Sequence, residues 1–248
     1  MTIILQETKT TIQEAKAVTK REAVYSAQVV IAALNESHGI GLTIAEMKDV
    51  LGEVPVLVVD GRSGDRTVEI AKNLGAEVFC QDGFGKGDAI AKAFEHIDST
   101  VDYVVLTDAD YTYPAEYVPE MIQILEEHPE VGMACGNRFN SLCKDSLGSI
   151  FTVGNRLLAL AHNRLNGLKL DDPLTGLRVI RRSALEGLVI KSKGFDIEVE
   201  LNRFVERKGF AVLEIPIHYR KRLGKKKLKI RDGLTIFKRI LLETLVHD

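Results

Sequence analysis

Tryptophan is missing from this 248-residue chain, cysteine occurs three times, and aromatic residues make up only 6%. Cys80, Cys135 and Cys143 are an odd and sparse set, which suits a reducing compartment and excludes a disulfide framework or a CxxC metal site. Excess charge is lacking too: 33 basic against 35 acidic residues leave −2, which excludes a generally basic nucleic-acid binder. No stretch reaches the roughly 18 consecutive apolar residues of a membrane-spanning helix. The nearest, Ser149 to Ala161, is cut by Asn155 and Arg156. The opening Thr2-Ile-Ile-Leu-Gln-Glu lacks the basic and apolar regions of a signal peptide. The expected compartment is the cytoplasm, or a membrane surface facing it. What is present, 45% hydrophobic and 27% charged residues, is the composition of a globular protein with a core of its own.

Charge is spread unevenly. From Pro216 onward ten Lys/Arg face Asp232, Glu243 and Asp248, so this segment carries +7 and the remainder −9. Residues 1–23 are polar with weak helical spacing (Ile12, Ala15, Val18) and read as an N-terminal extension. Apolar runs of strand length then alternate with helical patterns. The runs are Val29–Leu34, Val54–Asp60, Ala76–Cys80, Tyr103–Thr107, Val131–Cys135, Leu177–Ile180 and Ala211–Ile217. Helical spacing covers Ile44–Leu51, Arg66–Leu74, Ala89–Ile97, a stretch after Pro114, Phe151–Leu165 and Ile197–Arg207. Runs apolar on both faces, separated by helices, predict a mostly parallel Rossmann-like sheet covered on both sides: one α/β domain over 24–218, with 219–248 a basic loop and an amphipathic helix.

Such sheets bind ligands beyond the carboxyl ends of their strands. Polar residues gather there: Asn35-Glu36, Asp60-Gly-Arg-Ser-Gly-Asp65, Gln81 to Gly87, and Asp108-Ala-Asp110. Ser63 and Asp65 are candidate helix caps, but capping does not explain Asp60, Asp108 and Asp110 together. Two carboxylates at i and i+2, where a strand loses its pleat, can turn toward one hard cation, Mg²⁺ or Mn²⁺, whose other ligands are phosphate and water. Asp108-Ala-Asp-Tyr-Thr112 also satisfies the D-x-D-x-T pattern of haloacid-dehalogenase-type phosphatases, with Asp108 as nucleophile. That motif normally ends a first strand, whereas three βα units precede it here. No GxGxxG follows the first strand, and Gly83-Phe-Gly-Lys-Gly87 lacks P-loop spacing. Its glycines either let the backbone approach a nucleotide beside Lys86 or simply open a helix.

In order along the chain, Ala33-Leu-Asn-Glu36, Asp60-Gly-Arg-Ser-Gly-Asp65-Arg-Thr67, Asp108-Ala-Asp110, Gly136-Asn-Arg138, Asp172-Pro-Leu-Thr-Gly-Leu-Arg178 and Gly194-Phe-Asp-Ile-Glu198 resemble the family-2 glycosyltransferases of GT-A fold, specifically the dolichyl/polyprenyl-phosphate sugar synthases. The resemblance runs from Val29 to Leu228. It implies that Ala33, Asn35, Glu36, Asp60 and Lys86 hold the nucleotide sugar, and that Asp108 and Asp110 hold the metal and diphosphate. It further implies that Arg138 and Arg156 bind the acceptor phosphate and that Arg222 and Lys227 close over the phosphates on a loop. Two positions depart from the pattern: Tyr111-Thr-Tyr113 stands where mannose synthases commonly have Leu-Gln-His, and Lys226 replaces a serine.

The implied reaction moves a sugar from GDP-mannose, UDP-glucose or UDP-N-acetylglucosamine to a polyprenyl or dolichyl phosphate. A catalytically idle nucleotide-sugar binding module is the alternative outside enzymes. Arg156 interrupts the apolar run Ile150, Phe151, Val153, Leu157, Leu158, Leu160, a setting for an anionic head with a greasy tail. In the tail, Leu234, Ile236, Phe237, Ile240, Leu241, Leu245 and Val246 share helical spacing, with Lys238, Arg239 and Glu243 expected opposite. A polybasic run leading into such a helix reads as attachment to a membrane surface; a helix packed on the core or on a second subunit is the alternative.

Overall fold

The computed structural model describes residues 25–139 and 150–245. The expected extension 1–23, Cys143 and Val246 lie outside them. Seven strands, β1 Ala27–Ala33, β2 Val56–Asp60, β3 Glu77–Cys80, β4 Tyr103–Asp108, β5 Val131–Asn137, β6 Arg178–Arg181 and β7 Ala211–Pro216, form one sheet in the order β3-β2-β1-β4-β6-β5-β7. The helices are α1 Ile40–Leu51, α2 Thr67–Asn73, α3 Lys86–Phe94, α4 Val118–Glu127, α5 Ile150–Asn166, α6 Ile197–Arg207 and α7 Ile230–Leu245.

Alternation along each strand divides the core. Val29, Ile31, Val56, Val58 and Val105 point to the face covered by α1 and α4, where Ile44, Met47, Met121 and Leu125 are buried. Val30, Leu57, Val59, Val104 and Leu106 point to the other, against Ile90 and Ala93 of α3 and Leu201 and Val205 of α6. Each such side chain contributes about 1.5–3 kcal/mol when fully buried, and this two-sided demand is why these strands read as continuous apolar runs. Apolar periodicity does not encode strand direction, and β6 runs antiparallel to both β4 and β5.

The last helix corrects the expectation for the tail. Ile236 and Ile240 bury against Val199 of α6, with Leu158, Ala161, Leu174 and Phe195 around them. Arg239 and Glu243 turn inward rather than to solvent: Arg239 meets Asp196 at 3.1 Å and Glu243 meets Arg207 at 2.9 Å. The apolar residues left over, Ile230 (70% exposed), Leu234 (75%), Phe237, Leu241 and Leu245 (73%), form a second stripe facing away from the core. On α5, Val153, Leu157 and Leu160 are likewise exposed. Among the described residues no helix is long and apolar enough to cross a membrane.

Candidate active site

From β1 the chain winds outward through β2 and β3 on one side, and β4 returns to the other, so strand order reverses beside β1. Loops leaving the carboxyl ends there diverge and open a crevice. Register sets what lines it: Ala33 lies opposite Asp60, and Ala32 opposite Asp108. The resulting cavity is about 590 Å³, in the range of small-ligand sites, and Ala33, Glu36, Lys86, Asp108, Asp110, Arg138, Arg222 and Lys227 all face it.

The β1 and β2 loops are locked together by their own polar side chains. Asn35, at φ 50°, donates its N–H to Ser63 Oγ at 2.8 Å and accepts from Gly64 N at 2.7 Å. Asp60 accepts from Ser63 N and Oγ at 2.8 and 2.5 Å. Asp65 accepts from Ser37 N and Thr67 N at 3.1 and 3.0 Å; burial opposes its ionisation, but these bonds and the Thr67 hydroxyl outweigh it and hold the carboxyl down to about 2. Thr67 Oγ1 in turn accepts the N–H of Glu36 at 2.8 Å. Neither Ser63 nor Asp65 is the helix cap: Arg66 occupies that position without a side-chain bond. The motif is a brace between loops.

Asp108 ends β4, and Asp110 follows the chain's departure from the sheet. Tyr111 takes φ 64°, and Thr112 folds back to give Asp110 Oδ1 its N–H at 3.2 Å and its hydroxyl at 2.6 Å. Thr112 is therefore a buried support for Asp110. The two carboxylates are driven apart electrostatically. Burial opposes Asp108, but Lys86 holds it below the usual carboxylate range; burial and then the charge of Asp108 push Asp110 up. Close packing fixes both: a Cβ on Gly176 would meet Asp108 Oδ2 at 2.6 Å, and one on Gly39 would meet Ala109 O at 2.6 Å.

Lys86 sits at the first turn of α3 and bridges Asp108 and Glu198, each at 2.7 Å. The glycines around it serve the protein's own backbone. Cβ atoms on Gly85 and Gly87 would collide with the carbonyls of Lys193 and Ser192, and Gly87 N donates to Lys193 O at 3.1 Å. Gly83–Gly87 opens α3 and packs on residues 192–194, while Gly85 and Lys86 also line the cavity. That contact also delivers Glu198, a buried carboxylate at the site whose Oε2 has no hydrogen-bond partner among the described residues. In the sequence Glu198 ends the Gly194–Glu198 motif, and nothing local marks it as the partner of Lys86.

The tail folds back over the crevice. Arg220 N donates to Thr112 O at 2.9 Å and its guanidinium grips Glu46 at 2.6 and 2.7 Å. Tyr219 meets the Tyr113 ring edge-on at 5.1 Å. Arg222 bridges Glu36 and Asp110, the latter at 2.5 Å, and Lys227 reaches Glu36 at 3.0 Å. Even so, burial keeps the Glu36 carboxyl raised. The basic tail thus neutralises the carboxylates of the body. On the opposite wall Arg138 is bidentate to buried Asp172 at 2.6 and 2.7 Å, its guanidinium 5.4 Å from the Tyr219 ring centre. Lys226 also faces the cavity; burial lowers its pKa, reinforced by Arg138 and Arg222. Arg156 is not brought in. It is exposed on α5, 5.8 Å from the ring centre of Phe139, and that ring, rather than Arg156, lines the cavity.

Asp108 and Asp110 offer oxygen only, and no group of three or more His, Cys, Asp or Glu able to hold a metal exists among the described residues. That donor set fits Mg²⁺ or Mn²⁺, which keeps water and phosphate ligands, and does not fit a closed zinc site. The raised Asp110 pKa has the same sense, since a second positive charge there relieves it.

A mostly parallel sheet that reverses beside β1 is the GT-A fold of the chain's structural neighbours. Glucosyl-3-phosphoglycerate synthase from Mycobacterium tuberculosis, in complex with Mg²⁺ and UDP, shares the fold with a TM-score of 0.73 at 20% identity, over 91% of this chain and 81% of that one. Residues 28–189 match Glycosyl transferase family 2, and the chain belongs to that family; it is a glycosyltransferase. Among its relatives, glycosyltransferase AglJ of Haloferax volcanii is 33% identical over 207 residues, 82% of this chain and 67% of the relative. The dolichyl-phosphate hexose transferase of the same organism is 33% identical over 202 residues, 81% and 85% of the respective chains. Family membership removes the phosphatase reading, and the fold agrees, since Asp108 ends the fourth strand rather than the first.

Proposed function

We propose that the protein transfers a hexose from a nucleoside-diphosphate donor to a polyprenyl or dolichyl phosphate, inverting the anomeric carbon. The observation that carries this reading is the meeting of opposite charges in one cavity: Asp108, Asp110 and Glu36, with the tail's Arg222 and Lys227 paired to them, share it with Arg138 and Lys226. A dianionic donor needs the first group with a cation, and an anionic acceptor needs the second. Relatives named as dolichyl-phosphate hexose transferase and as undecaprenyl-phosphate mannosyltransferase support the acceptor class. A neighbour crystallised with Mn²⁺, UDP-glucose and glycerol 3-phosphate supports the donor class.

In this scheme the nucleoside rests against Ala33, Asn35, Glu36 and Asp60. Asp108 and Asp110 hold the divalent cation, which when bound supplies positive charge to the diphosphate. The acceptor monoester, with a second pKa near roughly 6, is ionised at neutral pH and needs no general base. Its oxygen attacks the anomeric carbon while the bond to the β-phosphate breaks and the electron pair leaves with the nucleoside diphosphate. Arg138 orients the attacking phosphate through its planar fork. Arg222 and Lys227 move from Glu36 and Asp110 to the leaving diphosphate, where charge develops. Arg156, outside the cavity beside Phe139, guides the anionic head inward.

The outward stripes of α5 and α7, flanked by the polybasic 221–231 segment, are the surface for an anionic bilayer at the cytoplasmic face. Apolar side chains there would enter the headgroup boundary, and each basic residue adds on the order of 1 kcal/mol near anionic lipid. Labelled GDP-mannose, UDP-glucose and UDP-N-acetylglucosamine, each offered with Mg²⁺ or Mn²⁺ to vesicles holding polyprenyl phosphate, test the function. Label in the organic phase is expected for one donor. Donor binding without any transferred label would leave a nucleotide-sugar binding module instead. Flotation with anionic vesicles, lost in the Leu234→Glu/Phe237→Glu variant, tests the membrane surface; flotation unchanged in that variant contradicts it.

A further inference from the structure

Arg138 is held by a chain of carboxylates reaching back to the edge of the sheet. Its Nε and Nη2 donate to the two oxygens of Asp172 at 2.6 and 2.7 Å, and its backbone N–H gives Asp172 Oδ2 a third bond at 3.0 Å. A planar fork gripped at two points has its plane fixed. Asp172 is itself immobilised from behind. Glu214 on β7 accepts the N–H groups of Asp171 and Asp172, both at 2.7 Å, and Asn137 Nδ2 at 3.3 Å. The sheet holds Glu214 in turn, because β7 pairs with β5 and sets it opposite Cys135. Burial raises the Glu214 pKa, and the two amide bonds offset part of that cost.

The far end of the same loop is clamped as well. Arg178, only 1% exposed, donates to Pro173 O at 2.8 Å and Thr175 O at 3.1 Å. A buried ion pair adds little net stability over an apolar substitute, so stability is a poor account of Arg138–Asp172 at a cavity wall. Orientation is the better one.

We propose that Asp172 and Glu214 are positioning residues for the transfer reaction. Glu214 sets the backbone at 171–172, Asp172 sets the plane of Arg138, and Arg138 meets the acceptor phosphate. This rests on the reading of Arg138 as the acceptor-phosphate ligand.

Steady-state kinetics with separate variation of donor and polyprenyl phosphate test it, using Arg138→Ala, Asp172→Asn, Glu214→Gln and the Arg138→Ala/Asp172→Asn double variant. Asp172→Asn keeps the shape and loses the charge, and acceptor KM is expected to rise about 30-fold, with donor KM within about twofold of wild type. Glu214→Gln keeps one acceptor oxygen, and a rise of about fivefold is expected, again in acceptor KM alone. On the Arg138→Ala background Asp172→Asn should add nothing, a coupling that general loosening of the fold would not produce. Donor and acceptor KM rising together, or additive effects in the double variant, would overturn the positioning role. So would a wild-type acceptor KM in Asp172→Asn beside a raised one in Arg138→Ala. An unchanged acceptor KM in Arg138→Ala would instead overturn the phosphate reading beneath it. Glu214→Gln is nearly isosteric, so the proposal stays testable if Asp172→Asn does not fold.

Discussion

The two walls of the cavity are built in different ways. The donor wall is acidic and mostly local: Asp110 is fixed by Thr112 two residues away and Asp108 by Lys86 22 residues away, while Asn35, Asp60 and Asp65 brace the loops behind the wall. The acceptor wall is cationic and assembled from afar. Arg138 depends on a carboxylate 34 residues on, and the tail that covers the donor side comes from further still, Arg222 reaching a carboxylate 186 residues back. A charge held by its own turn keeps its place when distant parts move, whereas a charge held by remote segments can be released. The donor wall is thus a preformed seat, and the acceptor wall a set of cations whose partners can be exchanged for substrate.

The largest expected effect tests the seat. Asp110→Asn should lower transfer by about 10³-fold or more, through loss of charge stabilisation in the transition state, while vesicle-bound polyprenyl phosphate binds as before. Next is the support beneath the acceptor wall. Arg178→Met leaves the Thr175 carbonyl and Asn202 Oδ1 without their buried donor, and Pro173 O with Asn202 Nδ2 alone. A loss of about 3 kcal/mol and a melting temperature roughly 10 °C lower are expected by calorimetry. Arg138→Lys, a point charge in place of a fork, should cost about 50-fold in kcat/KM for the acceptor and little for the donor. An equal loss for both substrates would erase the distinction between the walls.

The smallest effect concerns pH. His162, beside Asn202 under the acceptor loop, is buried, and burial lowers its pKa from 6.5 to about 4, with Arg178 and Arg203 adding to the shift. A depressed folded-state pKa means that this stability is fully present above pH 6.5 and is lost as pH falls toward 4. At pH 5 the loss is about 2 kcal/mol, and His162→Gln should flatten thermal denaturation against pH over this window. Unchanged pH dependence in that variant would remove His162 as its source.

The same contrast explains what was legible in sequence. All seven strands follow from apolar runs, most clearly the five inner ones, where burial on both faces leaves a pattern, and the donor-side motifs are short enough to be read in one window. Strand direction left no pattern, hence the antiparallel β6. Glu198 and Glu214 stayed without roles because their partners, Lys86 and the 171–172 backbone, come from segments 112 and 42 residues away. For α7, helical spacing allowed two apolar faces, and only the packed neighbours decide that Ile236 and Ile240 turn inward with Arg239 and Glu243. Gly85 and Gly87 showed a need for space without showing that residues 192–194 fill it.

Titration calorimetry of UDP and GDP, with and without Mn²⁺, on the wild-type chain and on Asp108→Asn/Asp110→Asn probes the seat itself. The account predicts that the preferred nucleotide binds tightly only when Mn²⁺ and both carboxylates are present. Equal affinity in the chelated wild type, or in the double variant with Mn²⁺, would contradict it.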